Sequence, residues 1–452
     1  MDLSSKLMNY MWKIKESDYS FVYKFFASKE LNYSRSDLDI IILRRLKKII
    51  KFAEENSIYY KKIFQEYGVT SNQIYSVDDI KKFPFLTRSM LRDELSSLVT
   101  NSRFMHRWSK IATGGTTSSP VEFYCNESAL WKKNAYSDAF NSWYGLEPGF
   151  KTAYLWGAPQ DFSYEKSLKA KFRNYSYSKR LMLPSTPLDD QIMENYYLKL
   201  RTWRPYYLQA YPTPLYEFCV YLNNNNLKIP FLKSASVTAE ILTLQQRELI
   251  ESVLGFKIFN WYGSRELARV ASECEIHNGM HINEPCVFVE IEHVPTLPEG
   301  WGNLIVTDLL NYATPLIRYR TGDVAVLKNE SCPCGRSLRM LSKIEGRIAD
   351  MIILSNGKKI PGVSLTNRIV KDFRDFKELQ IIQKDYSIFN VKYVKGNKFN
   401  STSLDKFLLT FREYLSSDLV VNFEEVFKIL PEKSGKIRFV KNEILNDTSI
   451  NL

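Results

Sequence analysis

Histidine is scarce in this chain, with four among 452 residues. Chemistry that turns on an imidazole base therefore has few places to reside. The patterns G-x-S-x-G and H-E-x-x-H are absent, and no G-x-G-x-x-G opens a helix. These absences argue against a serine hydrolase, a zinc protease and a dinucleotide enzyme. No run of eighteen apolar residues occurs, so a membrane span is not expected. The first residues, MDLSSKLMNYMWKIKESDYS, lack the apolar stretch of a secretory leader, and a cytoplasmic location is the expectation. The six cysteines, Cys125, Cys219, Cys274, Cys286, Cys332 and Cys334, are too dispersed for a disulfide framework. Internal repeats and low-complexity tracts are also missing.

What is present is ordinary for a water-soluble globular chain: 44% hydrophobic and 25% charged residues. There are 62 basic and 50 acidic residues, a net charge of +12. The bases are dispersed and mixed with acids, and no nucleic-acid module is recognisable. A solvated basic surface that steers anionic compounds accounts for the charge. Residues 40–56, IIILRRLKKIIKFAEEN, have the period of a basic amphipathic helix. Packing on a core is its expected use, with peripheral membrane association as the alternative.

From about residue 105 to 325, apolar runs alternate with helical patterns, which predicts an α/β domain. Ala153–Trp156, Lys257–Asn260 and Asn303–Thr307 read as strands, and Gln191–Thr202 and Leu244–Leu254 as helices. Ser76–Pro84 reads as a short capped helix stopped by proline. After about residue 346 the pattern changes to short strands and two helices. A hairpin is expected around Met351–Leu354, Gly357 and Pro361, a helix over Leu404–Leu415 and a strand over Val426–Pro431. The expected division is a large domain of residues 1–346 and a smaller α+β domain of residues 347–452.

Four segments carry candidate chemistry: Thr113-Gly-Gly-Thr-Thr-Ser-Ser-Pro120, Trp261-Tyr-Gly-Ser-Arg-Glu266, Tyr319-Arg-Thr-Gly-Asp323 and Ser434-Gly-Lys-Ile-Arg438. In the first, Gly114 and Gly115 let backbone N–H groups turn toward phosphate, while Thr113, Thr116 and Thr117 add hydroxyl donors. A plain polar turn is the bland alternative. Tyr262, after the strand, offers a ring for stacking, and Glu266 a hard oxygen ligand or a helix-entry carboxylate. Asp323 after a Thr-Gly turn can accept two hydroxyl hydrogen bonds or simply form the turn. Lys436 alone reads as a surface residue. Tyr206, Tyr207 and Tyr211, near three prolines, are candidates for an acid pocket, with core packing the equal alternative.

In the order and separation of these segments the chain resembles the adenylate-forming acid ligases. It is most similar to the phenylacetate–CoA ligase branch and its CapK-type proteins of capsule and O-antigen biosynthesis. RLKKIIKFAEENSIYYKKIF, DDIKKFPFLTR, LLNYATPLIRYRTGDVAVL and CPCGRSLRMLSKIEGR carry that likeness, which runs from about residue 40 to 445. The resemblance implies a large N-terminal adenylate-forming domain with a smaller mobile C-terminal domain. It implies that the Thr113–Thr117 loop grips the phosphates of ATP. It has Ala239, Glu240 and Trp261 to Ser264 lining the nucleotide pocket, and Glu266 holding Mg²⁺. It gives Asp323 the ribose, Arg347 the ribose–phosphate side at a hinge, and Lys436 the bridge between the acid and the α-phosphate. Ser118 and Ser119 stand where the family often has Gly and Lys, and Ala349 where it usually has Asp or Lys.

The implied reaction joins a small carboxylic acid to ATP as an acyl-adenylate, then passes the acyl group to a thiol or amine acceptor. CoA thioester formation is one version. An amide joining an amine or amino acid to a uronic acid or sugar is another, and a non-catalytic nucleotide-binding protein of the same fold a third. No nucleic-acid partner is expected.

Cys332 and Cys334 form a tight pair, and Cys274, His277 and His281 cluster some fifty residues earlier. Three thiolates and one imidazole suit a closed structural Zn²⁺ site. The branch often carries such clusters. His281 is the preferred fourth ligand and His277 the substitute, against free thiols with solvent-facing histidines.

Overall fold

The computed structural model describes residues 22–101, 108–112, 121–147, 149–157, 179–185, 188–347, 351–355, 359–361, 375–396, 399–430 and 439–444, with backbone alone at 346, 347, 359 and 361. The phosphate-gripping candidates Thr113 to Thr117 and Lys436 lie outside these residues, as does the Arg347 side chain.

The segment marked by 3.6-residue periodicity is the helix Arg35–Asn56. Ser34 caps it by accepting from the Asp37 N–H. Leu38, Ile41, Ile42, Leu46, Ile49, Ile50 and Ala53 line one buried stripe, while Lys47, Lys48 and Lys51 stay exposed on the other side. Ser57 ends this helix and caps the next, Ile58–Glu66. Val77–Lys82 is a short 3-10 turn closed by a Ser76–Asp79 capping box. It ends at Phe83, extended because a proline follows.

Two strands, β1 (Trp108–Ala112) and β2 (Glu122–Asn126), form a separate ribbon. The main sheet has eleven strands. Its parallel part is built from β3 (Thr152–Trp156), β4 (Arg180–Pro184), β5 (Tyr207–Ala210), β6 (Ser234–Val237) and β7 (Phe259–Ser264). The antiparallel part is built from β8 (Ala268–Glu273), β9 (Met280–Ile282), β10 (Val287–His293), β11 (Trp301–Asp308), β12 (Tyr319–Lys328) and β13 (Met340–Arg347). The order is β10-β11-β12-β13-β9-β8-β7-β6-β5-β3-β4. Strand β7 is the junction, parallel to β6 and antiparallel to β8.

Each half has its own core. The helices Asp190–Trp203, Pro212–Asn224 and Leu244–Leu254 pack on β3 to β6 around Leu208, Leu215, Phe218 and Ile250. Parallel strands need such crossovers, which explains the alternating pattern in the sequence. The N-terminal helices and the helix Glu127–Trp143 pack on the antiparallel half. Arg318 pins the Phe83–Arg88 segment to that half. Its guanidinium donates to the carbonyls of Lys81 and Phe83 at 3.0 and 2.6 Å and pairs with Glu290 at 2.9 Å. Leu86 then bridges Tyr319 of β12.

The C-terminal part holds a hairpin of β14 (Met351–Ile353) and β15 (Lys359–Pro361). It also holds a sheet of β16 (Phe376–Gln383), β17 (Ile388–Lys395), β18 (Val420–Glu425) and β19 (Val440–Asn442), ordered β18-β17-β16-β19. The helix Ser403–Tyr414 crosses from β17 to its parallel neighbour β18 and buries Phe407 and Phe411 beside Phe389. Gln383 bonds both backbone groups of Ile353, at 2.9 and 2.6 Å, and ties hairpin to sheet.

The α/β class expected from the sequence is the class observed, a large sheet domain and a smaller C-terminal one. Two local expectations are corrected. The strand placed at Val426–Pro431 is instead Val420–Glu425, because β17 offers its partners there, from Ile388↔Val420 to Tyr393↔Glu425. The strand placed at Lys257–Asn260 runs Phe259–Ser264, because β8 extends the pairing past Asn260. One of the two expected C-terminal helices, Ser403–Tyr414, lies among the described residues.

Candidate active site

The β7–β8 turn carries Glu266, which is buried at 5% exposure. It is a strand-to-strand turn, so the helix-entry reading of Glu266 is corrected: no helix starts there, and β8 begins two residues later. Ser264 shapes the turn by accepting from the Leu267 N–H at 3.3 Å. Arg88 approaches from the segment pinned by Arg318, and its Nη1 lies 3.0 Å from Glu266 Oε1. Lys133 supports the turn from below. Its Nζ donates to the Glu266 carbonyl at 3.4 Å and to Asp308 Oδ2 at 2.5 Å.

Tyr262 and Asp323 meet beside this turn. The Tyr262 hydroxyl donates to Asp323 Oδ2, and Thr321 Oγ1 accepts from the Asp323 N–H at 3.2 Å. Burial, then the Asp323 carboxylate, pushes the Tyr262 hydroxyl well above its ordinary pKa, with Glu266 adding to it. Tyr319 is raised as well, by burial first and then by Glu266. The second and third sequence motifs thus converge on one small region in which Glu266, Asp323, Tyr262, Tyr319 and Arg88 feel one another's charge.

The other nucleotide-pocket candidates differ in burial and partners. Ala239 is exposed, with φ +71°. Glu240 Oε2 accepts from the Thr213 N–H at 3.0 Å, at the start of the helix Pro212–Asn224, where a carboxylate suits the helix dipole. Gly263 has no room for a side chain: a Cβ would lie 2.1 Å from the Ala268 carbonyl oxygen. Trp261 is half-buried with the Arg269 guanidinium 4.6 Å from its ring. Of the tyrosine candidates, Tyr207 is fully buried and shares a hydrogen bond with Ser236, and Tyr206 lies against Phe150. Tyr211 is buried against Trp156. Core packing therefore accounts for Tyr207.

The structure gathers Cys274, His281, Cys332 and Cys334, with all four donor atoms within 4.8 Å of one another. His277 is not part of this group. Its Nδ1 faces Glu273 at 3.2 Å and its ring lies against Phe259. The Cys274–Cys332 sulfur separation is 3.7 Å, and Cys334 Sγ is 3.3 Å from His281 Nε2. A tetrahedral ion with metal–sulfur bonds of 2.3 Å needs ligand edges of about 3.8 Å, so the donor set and its spacing fit Zn²⁺. Without a cation, burial pushes the Cys274 thiol up to about 12 and the His281 imidazole down to about 4, with Arg336 also lowering the latter. Burial works against the Cys334 thiolate too, but the Arg336 N–H and guanidinium hold that thiol below its ordinary value.

The C-terminal residues 352–443 match the family model of the CapK C-terminal domain. The whole chain is 27% identical to the CapK protein of Staphylococcus aureus, over 90% of either chain. It is also 27% identical to the phenylacetate–coenzyme A ligase of Thermus thermophilus, over 71% of this chain and 72% of that one. The chain is thus homologous to CapK and to the phenylacetate–coenzyme A ligases. A 2-hydroxyisobutyryl-CoA ligase, solved in the postadenylation state with 2-HIB-AMP, shares the fold with a TM-score of 0.73. The match covers 92% of this chain and 91% of that one at 18% identity. The phenylacetate–coenzyme A ligase relative and the 2-hydroxyisobutyryl-CoA ligase neighbour are both acid ligases.

Beside the region of Glu266 and Asp323, the buried or half-buried charged residues that motif reading missed are Arg88, Lys133, Asp308 and Arg269. Arg88 was inside a quoted segment, DDIKKFPFLTR, yet nothing local linked it to Glu266, 178 positions away. Lys133 sits among the alternating residues of a helix, and only its 5% exposure marks it. Among the described residues no helix is long and apolar enough to cross a membrane.

Proposed function

We propose that this chain activates a carboxylic acid with ATP, forming an acyl-adenylate and pyrophosphate, and then transfers the acyl group to a thiol or amine. The observation that carries this reading is the convergence of Glu266 and Asp323, from separate motifs, around Tyr262 and Tyr319.

In this reading Asp323 holds the ribose hydroxyls and Tyr262 orients the Asp323 carboxylate while its ring edges the adenine. Glu266, with Arg88 beside it, faces the triphosphate. Mg²⁺, held by Glu266, would neutralise charge on the phosphates. The Thr113–Thr117 loop grips those phosphates and Arg347 reaches the ribose–phosphate side. Lys436 bridges the acid carboxylate and the α-phosphate, where one preorganised cation lowers the barrier by about 3–4 kcal/mol. The division at residues 346 and 347 serves as the hinge that exchanges adenylation for transfer. Cys274, His281, Cys332 and Cys334 hold a structural Zn²⁺ that ties the ends of β8, β9 and β12 together.

The CapK-type resemblance supports surface-polysaccharide biosynthesis as the setting, and the cytoplasm is the proposed place. The acceptor is CoA in one version and an amine of a sugar or amino acid in the other.

Acid-dependent ATP–pyrophosphate exchange tests the reaction. Exchange with at least one acid is expected. Lys436→Ala should reduce it by at least about 100-fold without loss of folding. Exchange at the wild-type rate in that variant would remove Lys436 from the chemistry. Metal analysis after anaerobic purification should find one equivalent of zinc, falling below about a tenth in Cys334→Ser. A metal-free wild-type protein would overturn the zinc assignment.

A further inference from the structure

Arg269 lies on β8, opposite Gly263 of the Trp261–Glu266 motif. It is 4% exposed. One of its nitrogens, Nη2, donates to Asn141 Oδ1 at 2.8 Å. Its Nε and Nη1 have no hydrogen-bond partner, and no carboxylate pairs with it among the described residues. Its surroundings are aromatic, with Trp261, Tyr144 and Phe140 ring centroids at 4.6, 5.6 and 5.9 Å from the guanidinium carbon. The Trp261 Nε1 and the Asn283 Oδ1 are also buried without partners.

This arrangement is costly for a fold on its own. A guanidinium cannot shed its proton in a protein, so burial cannot neutralise it. The three rings recover part of the lost hydration through cation–π attraction, but the N–H groups of two nitrogens remain unmet. Among the described residues the other buried arginine, Arg318, is paired with Glu290, and the less deeply buried Arg45 is paired with Glu30. Arg269 is also one strand away from the motif that carries Glu266. A buried, unpaired cation at the edge of a binding region is what an anionic ligand group completes.

We propose that Arg269 receives a second anionic group of the acid substrate. The acid is then a dicarboxylic acid, or one with another anion, whose first carboxyl is adenylated while the second pairs with Nε and Nη1. The flanking rings of Trp261, Tyr144 and Phe140 enclose the stretch between the two groups. This inference rests on the acid-ligase reading and names the class of its acid.

The test uses matched acids in the exchange assay with the full chain. The pairs are succinate against butyrate, adipate against hexanoate, and 4-carboxyphenylacetate against 4-methylphenylacetate. The expected result is a preference of at least about 100-fold for one diacid over its partner, because a site built for a polar group rejects the analogue that lacks it. Arg269→Met should lose at least tenfold of that preference, and Arg269→Lys should restore part of it. Equal use of both members of every pair that supports exchange would overturn the inference and leave adenylation standing, as would an unchanged profile in Arg269→Met. If no acid supports exchange, the acid-ligase reading fails, and thermal denaturation with each diacid decides the inference alone. Stabilisation of the wild type but not of Arg269→Met supports it, and no stabilisation by any diacid overturns it.

Discussion

Lys133 and Arg269 are both buried beside the β7–β8 turn, and the fold treats them in opposite ways. Lys133, at 5% exposure, meets Asp308 at 2.5 Å and the Glu266 carbonyl at 3.4 Å. Asp308 in turn accepts from the N–H groups of Leu310 and Asn311. Burial opposes the Lys133 ammonium, yet Asp308 more than compensates, and its pKa lies above the ordinary value. Arg269 has Asn141 and three rings, and two nitrogens left without a partner. A closed charge pair is part of the scaffold, whereas an open one is held ready for something from outside.

Substitution separates the two cases. Asp308→Ala leaves the Lys133 ammonium buried and uncompensated, and should cost about 3–5 kcal/mol of stability by urea denaturation. A loss below 1 kcal/mol would mean that Lys133 is hydrated and that the contrast with Arg269 is false. Glu284 offers a second closed case. Fully buried, it accepts from Arg35 at 2.7 Å, and from the side chain and N–H of Arg339 at 2.7 and 2.8 Å. Glu284→Gln keeps the shape and loses the charge, so a loss of about 1.5–3 kcal/mol is expected in the same measurement. Arg269→Met removes an unpaired buried cation and keeps an apolar stem among aromatic rings. Its stability should change by less than about 1 kcal/mol, in either direction. A loss comparable to that of Asp308→Ala would place Arg269 in the scaffold after all.

The helix Arg35–Asn56 and the capped turn at Ser76 were legible because their signals are local: a repeating apolar stripe, and a hydroxyl three residues before a carboxylate. The four-residue group Cys274, His281, Cys332 and Cys334 was legible because thiols and imidazoles are rare in this chain, which limits the combinations. The strand at Val420–Glu425 was misplaced because a strand's limits depend on its neighbour, here β17, and not on its own composition. Arg88 went unread for a related reason. Its meeting with Glu266 depends on Arg318 drawing the Phe83–Arg88 segment onto β12.

The sequence by itself determined the class of fold, the order of the motifs and the residue types of the proposed ligase site. Those depend on short-range periodicity and on chemistry carried within a few residues. The tertiary structure alone decided which charges are answered. Lys133 and Arg269 are equally cationic in the sequence, and only packing brings Asp308 to one and aromatic rings without a carboxylate to the other. Burial and partnership are properties of distant segments brought together, so a linear reading does not contain them.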